Sequence, residues 1–181
     1  MELIAALDKS FNHTHGVIAA ITPEQLVAST PCSEWNIEEL LTHTIGVVAG
    51  LGAAASGSAG GEFKLGDDPA AQFRAAADTT LAAWSSPGVM ERIIDAGPGP
   101  MPGSVLAGIN LLDTTTHAWD LAVAIGRPAA LPDDVAAETL AQARMIISPE
   151  IRSGRFEAEV TAPENATVTE LLVAYLGRTP R

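Results

Sequence analysis

With a single cysteine, Cys32, the chain can form neither an internal disulfide nor a multi-cysteine zinc site, so any metal it binds must be held by histidine and carboxylate. Basic residues are scarce. Ten Lys and Arg stand against 22 Asp and Glu, and the resulting charge of -12 opposes binding to phosphate backbones and anionic lipid. Nucleic acid is not an expected partner. Long apolar runs are also missing: Glu, His, Gly and Asp interrupt every stretch before the roughly 18 residues a membrane span needs, so no membrane is expected either. The start, Met1-Glu2-Leu3-Ile4, lacks the basic residues of a secretory signal, which makes a cytoplasmic location the default. Aromatic residues make up only 4%.

What is present is apolar and rich in alanine. Hydrophobic residues are 47% of a chain of 181, the length of one ordinary domain and enough to build a core. Alanine favours helix and packs closely, so a mainly α fold in one domain, residues 1–181, is expected.

Patterning divides the chain further. Leu3, Leu7, Phe11 and Ile18 give a helical stripe over 2–21, stopped by Thr22-Pro23. After the connector Thr30-Pro31-Cys32-Ser33-Glu34-Trp35, Asn36 and Glu39 form an asparagine version of a capping box, and a second helix runs through Leu40, Ile45, Val48 and Leu51 into a loop of small residues at 52–61. Asp68-Pro69 opens a third helix to residue 85. Residues 89–95 are β-prone, and the Gly- and Pro-rich run 97–103 reads as a loop beside the site. A fourth helix from Ser104 to Ile125 ends at Gly126 with Pro128 beyond. A core bundle of about 2–126 is therefore followed by additions over 127–181. These are a helix from Pro132-Asp133 to about Ile147, an alternating segment at 155–160 that suggests a small β element near the C-terminus, and a last helix opened by a Thr167/Glu170 capping box and closed at Gly177.

Chemistry concentrates on the second and fourth helices. Asp113 and His117 are four apart, so they emerge on one face, and Leu106, Ile109, Leu121 and Ala124 extend that face as a buried one. An aspartate there requires a strong partner. His43 stands likewise in the stripe of Leu40, Val47 and Leu51. Two readings are open at this point. His43 is a core histidine bonded to a backbone carbonyl while Asp113 pairs with His117, or the three are the nitrogen and oxygen ligands of a divalent ion in a bundle interior. Asp120, one turn beyond His117, reads as structural or as an acceptor behind a ligand. Trp35 and Trp119 read as packing residues and Cys32 as a packed thiol. His13 and His15 point to different sides of the first helix and read as surface histidines, and Arg74, Arg127 and Arg144 are candidate anchors for an acidic substrate.

Taken together, Thr30-Pro31-Cys32-Ser33-Glu34-Trp35-Asn36, Leu40-Leu41-Thr42-His43, Met101-Pro102-Gly103, His117-Ala118-Trp119-Asp120-Leu121-Ala122 and Leu176-Gly177-Arg178 resemble the actinobacterial metal-binding branch of the DinB-like superfamily. That branch is related to the N-terminal domain of mycothiol-dependent maleylpyruvate isomerase. The resemblance implies a DinB-like four-helix bundle and a divalent ion held by His43, Asp113 and His117, with zinc the leading choice and nickel or another ion the alternative. The isomerase usually has glutamate where Asp113 stands. A shorter carboxylate draws the ion toward the fourth helix. Three protein ligands leave a tetrahedral ion one open position, so the resemblance implies isomerisation or transfer chemistry with a small thiol such as mycothiol. A bundle that binds metal or a small ligand without turnover is the alternative. The expected partners are a small-molecule substrate or thiol, and a homodimer is left open.

Overall fold

The computed structural model describes residues 2–97, 99–153 and 155–181. Helix α1 spans Leu3–Ile18 and buries Leu7, Phe11, Thr14 and Ile18 along one face. Helix α2 spans Ile37–Ser56. Asn36 Oδ1 accepts from the Glu39 backbone N–H at 2.9 Å while the Glu39 carboxylate accepts from the Asn36 N–H at 2.9 Å, so two otherwise orphaned donors are satisfied. Helix α3, Pro69–Trp84, opens on the Asp68 cap, and α4, Gly103–Ala124, buries residues on nearly every side. An α4 so enclosed must be the central helix of the bundle.

These four form a ring in which α1 and α2 each touch α3 and α4. Gly52 lets α2 and α3 approach closely: a Cβ there would lie 2.2 Å from Thr80 Oγ1. That hydroxyl instead donates to the Val48 carbonyl at 2.8 Å across the contact. Buried polar groups are paired in the same manner elsewhere, with Trp84 Nε1 donating to Asn110 Oδ1 at 3.2 Å and Ser10 Oγ lying 2.8 Å from Thr115 Oγ1.

Strands β1 (Ile93–Asp95) and β2 (Pro100–Pro102) form an antiparallel pair with Ile94 opposite Met101. The small β element is thus mid-chain. The alternating stretch at 155–160 pairs with no strand and is tied down by a bond from Val160 N–H to the Ala174 carbonyl. Of the run expected to be a loop, the last part is therefore β2. It does not stand beside the site. Arg92, next to β1, donates to the Ala55 carbonyl at the far end of α2, and ten residues of α4, about 15 Å of helix, separate Gly103 from Asp113. The same contacts show α2 and α4 running antiparallel.

Helices α5 (Asp133–Ile146), α6 (Pro149–Arg152) and α7 (Val168–Tyr175) follow. The short α6 was not foreseen. Helix α5 packs on α4 and α1, α7 packs on α5, and a second apolar cluster joins Leu112 and Trp119 of α4 to Leu140, Leu172, Val173 and Leu176. No helix among the described residues is long and apolar enough to cross a membrane.

Candidate metal centre

His43 lies two turns into α2, and Asp113 and His117 lie one turn apart on α4. Antiparallel packing brings them to one level of the bundle. Asp113 Oδ2 is 3.0 Å from His43 Nε2 and 3.5 Å from His117 Nε2, so both rings present the same nitrogen to one carboxylate oxygen. The bonding of His43 to a backbone carbonyl, the first of the two readings, is not what the structure holds. Side-chain exposure falls from 31% at His43 to 17% at Asp113 and 9% at His117, so the cluster opens to solvent on the α2 side.

The ring of Trp35 lines that opening, its centroid 4.4 Å from the His43 ring at a 33° tilt and 6.1 Å from the His117 ring. Trp35 is therefore a wall of the site as well as a packing residue. Its connector is held by Thr30 Oγ1, which donates toward the carbonyls of Trp35 (2.8 Å) and Cys32 (3.0 Å) and accepts from the Cys32 N–H (3.1 Å). A bridge from Ser29 to Asn36 joins the connector's ends just before α2.

Behind His117 stands a second line of partners. Nδ1 lies 3.0 Å from Asp120 Oδ2, and Asp120, fully buried, receives Arg178 two-pronged, Nε to Oδ1 at 2.9 Å and Nη2 to Oδ2 at 2.8 Å. An ionised carboxylate only accepts, so Nδ1 carries a proton, and Nε2 is the nitrogen that could give up its own to an ion. Asp120 thus stands where an acceptor behind a ligand would stand. The arginine of the site is Arg178, not a candidate named earlier: Arg74 pairs with Asp78, Arg144 lies 5.9 Å from the Tyr175 ring, and Arg127 is exposed. Neither His13 nor His15 joins a metal-capable group among the described residues.

The electrostatics favour charged forms. Burial would raise the pKa of Asp113, but the charge of His117 and hydrogen bonds from both histidines hold it well below the usual carboxylate range. Burial would lower His117, yet the Asp113 charge beside it and hydrogen bonds to Asp113 and Asp120 push it up to about 9. Cys32 is raised by burial and by the charge of Asp120, so its thiol stays protonated at neutral pH and is no ready nucleophile.

The residues fit a divalent ion. Ligand atoms of His43, Asp113 and His117 all lie within 4.8 Å of one another, and a tetrahedral zinc with bonds of about 2.0–2.1 Å sets its ligands about 3.3 Å apart, close to the separations seen. Asp113 Oδ1 is enclosed and has no hydrogen-bond partner among the described residues, at a cost of about 1–3 kcal/mol. Cys32, His117 and Asp120 form a second group of that compactness, but the Asp120 oxygens and His117 Nδ1 are already taken by each other and by Arg178. A cavity of about 580 Å³ lies against Cys32, Trp119 and Arg178, and neither His43 nor Asp113 lines it.

The model of the mycothiol maleylpyruvate isomerase N-terminal domain matches residues 7–122, which include all three donors. The chain belongs to that family. Two uncharacterised proteins of Mycobacterium tuberculosis, from strains CDC 1551 / Oshkosh and ATCC 25618 / H37Rv, are each 33% identical to it over 183 residues, covering 100% of this chain and 100% of theirs. No solved structure matches the chain. The family match ends at Ala122 and so contains Asp120 but not Arg178.

Proposed function

We propose that the chain binds one divalent ion, zinc in the first instance with nickel or another ion as the alternative, through His43, Asp113 and His117. We further propose that it uses the ion in low-molecular-weight-thiol chemistry in the cytoplasm, as an isomerase or thiol transferase of the mycothiol-dependent kind. The observation that carries the reading is Asp113. It is an ionised carboxylate in a bundle interior, with one oxygen facing two imidazole Nε2 atoms and the other without a partner among the described residues. Family membership supports the thiol.

A bound ion would supply positive charge that favours the deprotonated form of a water or thiol at its open position. The chain's own residues do the rest. Asp113 brings negative charge to balance the ion, and the Asp120 contact orients His117. Trp35 shields one side of His43 from water, and a small substrate would enter over the exposed edge of His43.

Metal analysis and thermal denaturation test this. The expected result is about one ion per chain and a stabilisation of about 4 kcal/mol with zinc at a thousandfold excess over its Kd. No ion, and no gain in Tm with zinc or nickel, would sink the proposal. Turnover is assayed with mycothiol and electrophilic small molecules. If metal binds and none of these reacts, the thiol-chemistry reading fails and the reading as a metal- or ligand-binding bundle stands.

A further inference from the structure

We infer that Arg178 is a positioning residue for the metal centre: by clamping Asp120 it fixes the ring of His117, so the centre is complete only when the C-terminal helix is docked. The inference rests on the metal reading above. The Asp120 carboxylate is 0% exposed and has two partners, His117 Nδ1 at 3.0 Å and the fork of Arg178 at 2.8 and 2.9 Å. The fork engages both oxygens and so sets the plane of the carboxylate, and that plane sets where Oδ2 meets Nδ1. With Nδ1 held as donor, Nε2 is aimed at Asp113. Removing the guanidinium leaves a buried carboxylate free to turn about its bond and short of its counter-charge. The ring it holds loses its fixed orientation.

Arg178 comes from 58 residues away, and the fold delivers it by a defined route. Helix α7 is anchored through Leu172, Val173 and Leu176 in the apolar cluster that includes Trp119 of α4. Gly177 then turns the chain with φ 84°, and a Cβ there would meet the backbone of Glu157 at 2.8 Å. The Arg178 N–H closes the helix end on the Val173 carbonyl at 2.9 Å, and Nη1 donates to the Leu176 carbonyl at 3.3 Å. The segment after the bundle is thereby part of the site, and Arg178 lies outside the residues the family model matches.

The test is zinc affinity of the full-length protein at pH 7.5, measured against a chromophoric chelator, for the natural sequence and for Arg178→Leu, Arg178→Lys, Asp120→Asn and the Arg178→Leu/Asp120→Asn pair. Loss of a partner behind a histidine ligand typically weakens binding about 10- to 100-fold, and Arg178→Leu is expected in that range. Lysine keeps the charge without the fork and is expected to recover part of it. The pair is expected to be no weaker than Asp120→Asn alone, because Arg178 acts only through Asp120. The visible spectrum of the cobalt-loaded protein is expected to differ between the natural sequence and Arg178→Leu.

A purely structural role is separated by Thr169→Val, which removes the acceptor of the Leu131 N–H (3.1 Å) and lowers global stability while α7 stays docked and the Arg178 fork stays on Asp120. Its Tm should fall while its zinc affinity and cobalt spectrum stay unchanged. Should Arg178→Leu not fold, Arg178→Lys against Thr169→Val decides. Tight zinc binding by the natural sequence with no weakening in the Arg178 variants, or equal weakening in Thr169→Val, overturns the inference alone. No zinc binding by the natural sequence overturns the metal reading and the inference with it.

Discussion

On the proposed reading protons and metal compete for His117, and the competition has a calculable size. In the metal-free protein its pKa stands at about 9 against an ordinary 6.5, after the Asp113 charge and its hydrogen bonds have outweighed burial. That difference corresponds to roughly 3 kcal/mol of interaction favouring the imidazolium. Because the folded pKa is raised, this stabilisation of the metal-free fold is complete below about pH 6.5 and is lost as the pH rises through about 9. Metal affinity runs the other way, since zinc takes only the neutral ring and must expel the proton. Asp113 is held far below the usual range and stays ionised throughout, so it contributes no slope.

Between pH 6.5 and 8.5 the apparent Kd for zinc should therefore fall roughly tenfold per pH unit, about 80-fold in all, with close to one proton released per ion near pH 7. Chelator competition at fixed ionic strength measures the first, and calorimetry in buffers of different ionisation enthalpy measures the second. Asp113→Asn removes the largest of the influences that raise His117 and leaves Asp120 alone to oppose burial, so this variant should bind more weakly and its slope should flatten at a lower pH than in the natural sequence. An affinity for the natural sequence that is flat over this range, or an equal slope in Asp113→Asn, would refute the reasoning.

Other perturbations follow from single contacts. Gly52→Ala puts a methyl group 2.2 Å from Thr80 Oγ1 and should cost about 1–3 kcal/mol by denaturant unfolding, with the m-value unchanged. Cys32→Ser should leave zinc affinity within about twofold, and the natural thiol, its pKa raised by burial and by Asp120, should react slowly with a disulfide reagent at pH 7. Trp35 stacks on His43, so zinc should change the tryptophan emission of the natural sequence, and Trp35→Phe should abolish most of that change although Trp84 and Trp119 remain.

The bundle could be read from the sequence because its signals are local. The Asn36/Glu39 box, the Asp68-Pro69 start and the Gly126 stop each sit within a few residues of the end they mark, and the ends of α1, α3 and α4 differ from expectation by at most three residues. The end of α2 carries no such signal, and the helix runs on to Ser56 through small residues that read as a loop. Asp113 and His117 were legible for the same reason, as a four-residue spacing on a buried face. His43 stood out as a polar residue in an apolar stripe. Arg178 carried no local sign of its role beyond its place in the closing motif, because what defines it is a contact 58 residues away made through the packing of α7. The β hairpin was masked by glycine and proline, which favour loops in general but here form an edge pair with two prolines at the rim of β2. The alternation at 155–160 misled because extended chain with no neighbouring edge to pair with forms no sheet.

The most direct test is anomalous diffraction at the zinc edge from crystals of protein never exposed to chelator. One strong peak is expected about 2.0–2.1 Å from His43 Nε2, His117 Nε2 and an Asp113 oxygen, with the Arg178 fork still on Asp120. A map without that peak, with His43 and His117 bonded only to Asp113 and a water on its second oxygen, would contradict the metal reading.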